Sequence, residues 1–444
     1  QGDWLVAPKR LRETLGKVIS DSRKNCQDVV FFAFKGDTFD AHLFVDQVAK
    51  QKPQVIVVSE LPKDYESLNC PILKVNNSIE AYQELARGKM AMHPCVSIAI
   101  TGSSGKTSLK SIIAQSLETY FPTHVLSTEA NTNNHIGVPQ NIFRLEEDHH
   151  FAVLELGTNN PGEIDLITQI AQPNIAILTN VGHSHIGQFI DYEELLQEKM
   201  SIFNRLQDDS IIILGEELLP ALDEMIKQKF DIITYGLSSN ADIQIEYLKG
   251  DLHSSQFNIK WNQFDYSIKV DTKLTGEHQA VNCGAMAAVA QVFDLDLESF
   301  AASLSNIELP GYRMKVEEIN GITWVNDAYN ANPQSTKASL KWLADMAKQQ
   351  KTGKVYAIAG DMLELGDQST DLHAEIVDYT KTLEAQIELI TVGQFYQKLN
   401  AQHYPSVDIL SEELLPKLQK GDLVLLKGSR GMKLETIIEK FKDA

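Results

Sequence analysis

The stretch AITGSSGKTSLK (residues 99–110) ends one apolar run, VSIAIT (96–101), and opens a helical pattern in which Leu109, Ile112, Ile113, Leu117 and Tyr120 recur. Strand, glycine turn and amphipathic helix in that order build an anion cradle. Backbone N–H groups converge at the helix N-terminus, where the helix dipole adds favourable potential. The common phosphate loop reads G-x-x-x-x-G-K-[ST]. Gly105-Lys106-Thr107 fits its end, but Ile100 stands at the first glycine position and Gly102 comes two residues later. The stretch reads as a variant loop over Gly102, Ser103, Ser104, Gly105, Lys106, Thr107 and Ser108. Gly102 and Gly105 permit close backbone approach, Lys106 reaches the outer phosphates, and the Thr107 hydroxyl ligates Mg²⁺. The bland alternative is a strand–turn–helix joint with an exposed lysine. By itself the loop implies a nucleoside triphosphate and no more.

On either side, strand-length apolar runs alternate with amphipathic helical stretches, the mark of α/β layers. VVFFAFKG (29–36) and VIVV (55–58) read as strands of a first unit, with a boundary near residue 88. FAVLELG (151–157), NIAILTNVG (174–182) and IIIL (211–214) are near-continuous apolar runs, as in parallel strands covered on both faces. After IELPGYR (307–313) the chain starts again with ITWVNDA, KVYAIAGD, IELITVG and LVLLKGS, a third α/β unit with its boundary near 311. The expected division is 1–88, 89–310 and 311–444, in keeping with 444 residues being too many for one core.

Composition narrows the function. A net charge of −20, with no basic or aromatic-interleaved tract, argues against nucleic acid and anionic membranes. No apolar run reaches the eighteen or so residues of a membrane span. The start, QGDWLVAPKRLRETLG, lacks a basic region followed by an apolar stretch, so no secretory leader is expected. Cys26, Cys70, Cys95 and Cys283 lie far apart, with neither disulfide-framework nor zinc spacing. Four buried thiols in a reducing cytoplasm are expected, and nothing in the chain obliges a partner subunit, so a monomer is expected.

Mg²⁺ needs further oxygen ligands, and parallel strands deliver such groups at their carboxyl ends. Glu155 ends FAVLELG, and His183 and His185 follow the next strand. Taken singly each is as readily a surface polar residue; convergence with the phosphate loop on one sheet edge favours a site.

Together these motifs resemble the Mur ligases of peptidoglycan synthesis, over nearly the whole chain. The family's loop is T-G-x-x-G-K-T, matched by TGSSGKTS (101–108), so the displaced glycine is the family variant. NTNNHIGVP (131–139), LELGTNNPGEI (154–164), TNVGHSHIGQF (179–189), GEHQAVNCGAMAA (276–288), NDAYNANP (326–333), GDMLELG (360–366) and LKGSRGMKLE (426–435) follow in family order. DAYNANP and KGSRGMKLE are similar to the branch that adds D-alanyl-D-alanine to UDP-N-acetylmuramoyl-tripeptide. The D-N-P-[RK] string of ligases adding diaminopimelate or lysine is absent.

The resemblance implies a small N-terminal α/β domain for the UDP-substrate, a central ATP-binding domain with a mostly parallel sheet, and a C-terminal Rossmann-like domain. It implies ATP-driven amide synthesis through an acyl phosphate. Glu155, His185 and Thr107 resemble Mg²⁺ ligands, with two Mg²⁺ ions expected. Lys199 matches the lysine that the family carries N-carboxylated, although from pattern alone it reads as a solvated helix residue. Asn282 resembles the adenine contact, Arg313 a γ-phosphate contact and Asp327 the ribose acid, with Asn330 and Asn332 lining the cleft. Ser22, Arg23, Lys35, Gly36, Asp40, His42, Asn133 and Asn134 fall in segments that seat the UDP-sugar; Ala41 stands where the family usually has glycine. By itself Asp21-Ser22-Arg23 reads as a turn with a solvated arginine. Lys427, Ser429 and Arg430 are expected to anchor peptide carboxylates. The rivals are a kinase with the same loop, an ATP-regulated binding module, and a sibling ligase that adds a single amino acid.

Overall fold

In the computed structural model, which describes residues 2–8, 14–36, 38–62, 65–399 and 401–443, three sheets follow one another along the chain. Asp37, inside the expected UDP-sugar segment, and residues 1 and 9–13 of the N-terminal stretch lie outside the described residues.

The first sheet has five strands in the order Gly2–Val6, Ile72–Val75, Val55–Val58, Val30–Phe32, Val18–Ile19, antiparallel only at its first pair. The helix Ser78–Met92 then runs straight through residue 88. Asn77 caps it, its side chain accepting from the Ile79 and Glu80 amides. Tyr82 packs edge-on against Phe32 and Phe34 of the first unit and Phe143 of the second, at ring separations of 5.2, 5.1 and 4.9 Å. Lys89 donates to the carbonyls of Phe143 and Leu145. The helix therefore belongs to both units and fixes one against the other.

The nine-stranded central sheet is parallel through its first seven strands in chain order, and Val96–Thr101 lies between Phe151–Glu155 and Ile175–Leu178. After Val96–Thr101 the chain fills one side of the sheet, then crosses to the other. The crevice at such a switch point is where open α/β sheets bind ligands. The helix Lys106–Tyr120 buries Leu109, Ile112, Ile113 and Leu117 completely, each burial stabilising by roughly 1.5–3 kcal/mol. An antiparallel meander, Ile243–Gly250, Ser255–Trp261 and Tyr266–Thr272, closes one edge. Its middle strand alternates buried and half-buried residues, the period-two pattern of a strand packed on one face.

The third sheet has six strands in the order Lys315–Ile319, Ile322–Asp327, Leu423–Lys427, Val355–Gly360, Glu388–Val392, Gln402–Tyr404, all parallel except the first pair. One apolar cluster runs without a break from Leu154, Leu178 and Ile186 of the central unit to Met362, Leu365 and Leu425 of the third. The two units are thus docked through core-like packing. Among the described residues no helix is long and apolar enough to cross a membrane.

Candidate active site

Val96–Thr101 delivers the glycine turn to the crevice. Gly102 has φ 144° and Gly105 φ 82°, conformations an L side chain strains to adopt. The loop is held from the neighbouring strand end. The Ser103 amide donates to the Asn180 carbonyl at 2.9 Å, the Ser104 amide to Asn180 Oδ1 at 3.0 Å, and Thr179 Oγ1 to the Ser104 carbonyl at 2.7 Å. Thr107 is half-buried and Ser108 buried at the helix start. Lys106 Nζ folds back on the loop and donates to the Gly102 carbonyl at 2.6 Å. Asn282 backs the loop: a Cβ on Gly105 would lie 3.0 Å from its Oδ1. Its Nδ2 donates to Gln279 Oε1, which explains an asparagine inside an alanine-rich helix.

Beneath the loop lies a cluster of buried ionisable groups. Glu155 is buried; Oε1 accepts from Asn133 Nδ2 at 2.9 Å, and Oε2 has no hydrogen-bond partner. Lys199 is fully buried and its Nζ also has no partner. Burial holds the Lys199 amine well below the ordinary lysine range, and the positive charge of Lys106 adds to this, against the pull of Glu198, Glu163 and Glu364. Lys106 is lowered by burial as well, with Glu155 and Glu364 opposing. The His185 imidazole is brought down to about 3 by burial and by the charges of Lys106 and Lys199, so it is neutral at physiological pH. Neutral imidazole is the form that binds metals. Lys106 thus feels the charge of Glu155, and His185 those of Lys106 and Lys199.

No group of three or more His, Cys, Asp or Glu side chains arranged for a metal occurs among the described residues. The fit to Mg²⁺ rests on a different observation: the unpartnered, buried Glu155 Oε2 beside a phosphate loop. Mg²⁺ takes few protein carboxylates and completes its shell with water and phosphate oxygen.

The third unit reaches over this cluster. Asn332 is buried, and its Nδ2 donates to the Ser103 carbonyl at 3.3 Å and to Ser104 Oγ at 2.9 Å. Tyr329 OH hydrogen-bonds Asn131 Oδ1. The Arg313 guanidinium lies over the Tyr329 ring at 3.8 Å and bonds the Pro310 carbonyl. Asp327 is buried and accepts from Ser339 Oγ and from Lys427 Nζ, each at 2.7 Å. Asn330 is exposed, its side chain turned back on the Ala331 amide. Of the expected peptide anchors, Lys427 is therefore engaged with Asp327, and Ser429 is buried and accepts from the Leu363 amide. Arg430 alone of the three has an exposed head, paired with Glu435 at 2.8 Å.

In the first unit, Ser22 is buried within the Asp21–Lys24 turn, and Arg23 is exposed and bonded to Asp21, the geometry of the simple turn. His42 is more ordered. Its Nδ1 lies 2.7 Å from Asp40 Oδ1, and its Nε2 accepts the Ser59 amide at 3.1 Å, so the hydrogen sits on Nδ1. Lys35 pairs with Glu60, and the Gly36 amide donates to the Phe39 carbonyl. Asn133 is drawn to Glu155 and not to this unit, while Asn134 Oδ1 accepts from the Gly137 amide at the start of the helix Gly137–Ile142.

Sequence reasoning passed over two groups. Glu364, in the quoted GDMLELG motif, has Oε2 3.1 Å from His185 Nδ1; burial raises its carboxyl pKa against the pull of Lys106 and Lys199. Lys110 is buried and donates to the Thr128 carbonyl at 2.9 Å. One helical turn past Lys106, it carried the signal of a same-face neighbour.

Three α/β units around a variant phosphate loop, with a buried carboxylate and lysine beneath it, define a nucleotide-dependent enzyme whose site lies between domains. Residues 100–291 match the Mur ligase middle domain and residues 312–430 the Mur ligase, glutamate ligase domain. A UDP-N-acetylmuramoyl-tripeptide–D-alanyl-D-alanine ligase of Bacillus subtilis (strain 168) is 31% identical over 98% of this chain and 95% of the relative. The ligase of the same name from Rickettsia prowazekii (strain Madrid E) is 31% identical over 98% and 99%. A crystal structure of MurF from Acinetobacter baumannii superposes with a TM-score of 0.89 at 27% identity, covering 100% of this chain and 96% of that one. The chain belongs to the Mur ligase family.

Proposed function

We propose that this protein joins D-alanyl-D-alanine to UDP-N-acetylmuramoyl-tripeptide at the expense of ATP, as a step in building peptidoglycan precursors. The tripeptide's terminal carboxylate attacks the γ-phosphorus, the bond to ADP breaks, and an acyl phosphate forms. The dipeptide amine then attacks the acyl carbon and loses a proton, and the C–O bond breaks to release phosphate. The observation that carries this reading is two orphaned buried groups, Glu155 Oε2 and Lys199 Nζ, each within the electrostatic reach of Lys106 on the phosphate loop.

Two anions must meet in this chemistry, and the site supplies fixed positive charge without bulk water. Lys106 leaves the Gly102 carbonyl to meet the outer phosphates. Mg²⁺, when bound, screens the carboxylate from the γ-phosphate; Thr107, Glu155, His185 and Lys199 would hold it. Lys199 serves as its carbamate. A buried, uncharged amine is the form that attacks CO₂, with one N–C bond made and one proton released, and the product restores a charge that the cations beside it balance. Asn282, Arg313, Asp327, Asn330 and Asn332 seat the nucleotide between the second and third units, with Ser103, Ser104, Gly105 and Ser108 around the phosphates. Ser22, Arg23, Lys35, Gly36, Asp40, His42, Asn133 and Asn134 face the UDP-sugar, and Arg430, backed by Ser429, faces the peptide. Residues 1–88, 89–310 and 311–444 are the corresponding domains, with the helix Ser78–Met92 bridging the first two. Dependence on ATP and a nucleotide-sugar supports a cytoplasmic location.

Phosphate release with UDP-N-acetylmuramoyl-tripeptide, scanned over free amino acids and D-alanyl-D-alanine, tests the proposal. Only the dipeptide is expected to sustain turnover, and Lys106→Ala to abolish it. ADP release that needs no amine would make the protein a kinase instead.

A further inference from the structure

The loop Gly360–Gly366 comes from the third unit and lands on the strand-end loop that carries His185. The Gly187 amide donates to the Glu364 carbonyl at 3.1 Å. Gly187 and Gly366 meet backbone to backbone: a Cβ on Gly187 would stand 2.5 Å from Gly366 N, and one on Gly366 2.6 Å from Gly187 Cα. The loop is also tied to its own unit, for the Met362 amide donates to His373 Nε2 and the Leu363 amide to Ser429 Oγ. Glu364 itself has φ 89°, a left-handed conformation that a non-glycine residue holds only when its surroundings over-determine it. The result of these restraints is a carboxylate 3.1 Å from His185 Nδ1.

A carboxylate this close repels a ring-nitrogen lone pair and attracts an N–H, so Nδ1 carries the imidazole hydrogen and Nε2 keeps the lone pair. We infer that Glu364 is a positioning residue delivered across the domain interface, which fixes His185 in its Nδ1–H form with Nε2 free for a divalent cation, so that the cation site is complete only when the third unit is docked. Carboxylates behind metal-binding histidines act in this way, and their loss typically weakens metal binding 10–100-fold. The inference rests on the reading of His185 as a cation ligand, and it adds that docking of the third unit switches that ligand on.

Two measurements on the full chain test it. The first is the tautomer of His185 in ¹⁵N-histidine-labelled protein, its signals assigned by their loss in His185→Asn. Wild type is expected as Nδ1–H, and Glu364→Ala as a mixture shifted toward Nε2–H. The second is Mn²⁺ affinity in the presence of ADP, read by electron paramagnetic resonance. Glu364→Ala and the near-isosteric Glu364→Gln are both expected to weaken Mn²⁺ about 10–100-fold, and Glu364→Ala to add nothing further in the His185→Asn background. An unchanged tautomer, Mn²⁺ affinity within about twofold of wild type, or additive losses in the double variant would each overturn the inference. None of these readouts involves turnover. A wild-type chain that failed to use D-alanyl-D-alanine would sink the ligase assignment and leave this result standing.

Discussion

Lys427 Nζ lies 2.7 Å from Asp327 Oδ2, a buried ion pair between residues that sit in register on neighbouring parallel strands. Ser339 Oγ completes that oxygen's bonding, and the Met314 amide reaches Oδ1 at 3.3 Å. The pair thus sets the orientation of the acid expected at the ribose. Removing one member leaves the other buried and uncompensated, which costs about 3–5 kcal/mol. Lys427→Met is expected to lower the stability of the third unit by about 3 kcal/mol in urea denaturation. It should raise KM for ATP while leaving KM for the dipeptide within about twofold. A rise confined to the dipeptide would return Lys427 to the peptide site.

Lys199 makes the opposite forecast. The unfolded chain's lysine holds its proton more tightly than the buried amine does, since the folded pKa lies well below 10.5. The group therefore opposes folding below its unfolded pKa. Lys199→Met fills the same space without that penalty, so its melting temperature is expected to equal or exceed that of wild type. Turnover should fall at least about 100-fold, because no carbamate can form. A large loss of stability would make Lys199 a structural cation.

The same residue marks the limit of what the sequence discloses. Alternating apolar and helical runs fixed the strand positions, because burial on both faces leaves a compositional trace at each strand. Val55–Val58 and Val96–Thr101 appear at the residues where the pattern put them. Lys199 left no such trace: a lysine in LLQEKMSIF looks like any helix-surface lysine, and only packing shows it without solvent or partner. Asn133, which meets Glu155, and Glu364, which meets His185, left no trace of those contacts for a related reason. Each acts on a residue from a distant part of the chain, and the tertiary approach of two loops has no local spacing to betray it. The boundary near 88 fell inside a helix because Ser78–Met92 is amphipathic toward two units at once.

Gly102 offers a sharper test of the variant loop. A Cβ there would stand 2.0 Å from Thr179 Oγ1, at a φ of 144°. Thr179 cannot withdraw without losing its bond to the Ser104 carbonyl. Gly102→Ala is expected to destabilise the chain by about 1–3 kcal/mol and to weaken ATP binding at least about tenfold in calorimetry. Gly88 is the control. It lies inside the helix Ser78–Met92 with no atom within 4 Å of an added Cβ, so Gly88→Ala should stabilise by about 0.5–1 kcal/mol and leave ATP binding alone. Equal behaviour of the two variants would deny Gly102 its special role.

Acid should loosen the third unit through His373, which supports the loop that carries Glu364. This side chain is fully buried, and both ring nitrogens are committed: Nδ1 donates to the Ser369 carbonyl at 2.5 Å and Nε2 accepts the Met362 amide at 2.9 Å. Protonation would set an Nε2–H against the Met362 N–H. Burial accordingly holds the imidazole below its ordinary 6.5, only partly offset by the Ser369 carbonyl and Asp361. With the folded pKa below the unfolded one, the unfolded state binds the extra proton first. The histidine's contribution is complete above about pH 6.5 and is lost as pH falls toward the folded pKa, by at most about 1.4 kcal/mol per pH unit. His373→Gln retains an acceptor and a donor but cannot titrate. Measured by urea denaturation from pH 7.5 to 5, the variant should lose stability less steeply than wild type. Parallel slopes would show that the loop's acid sensitivity lies elsewhere.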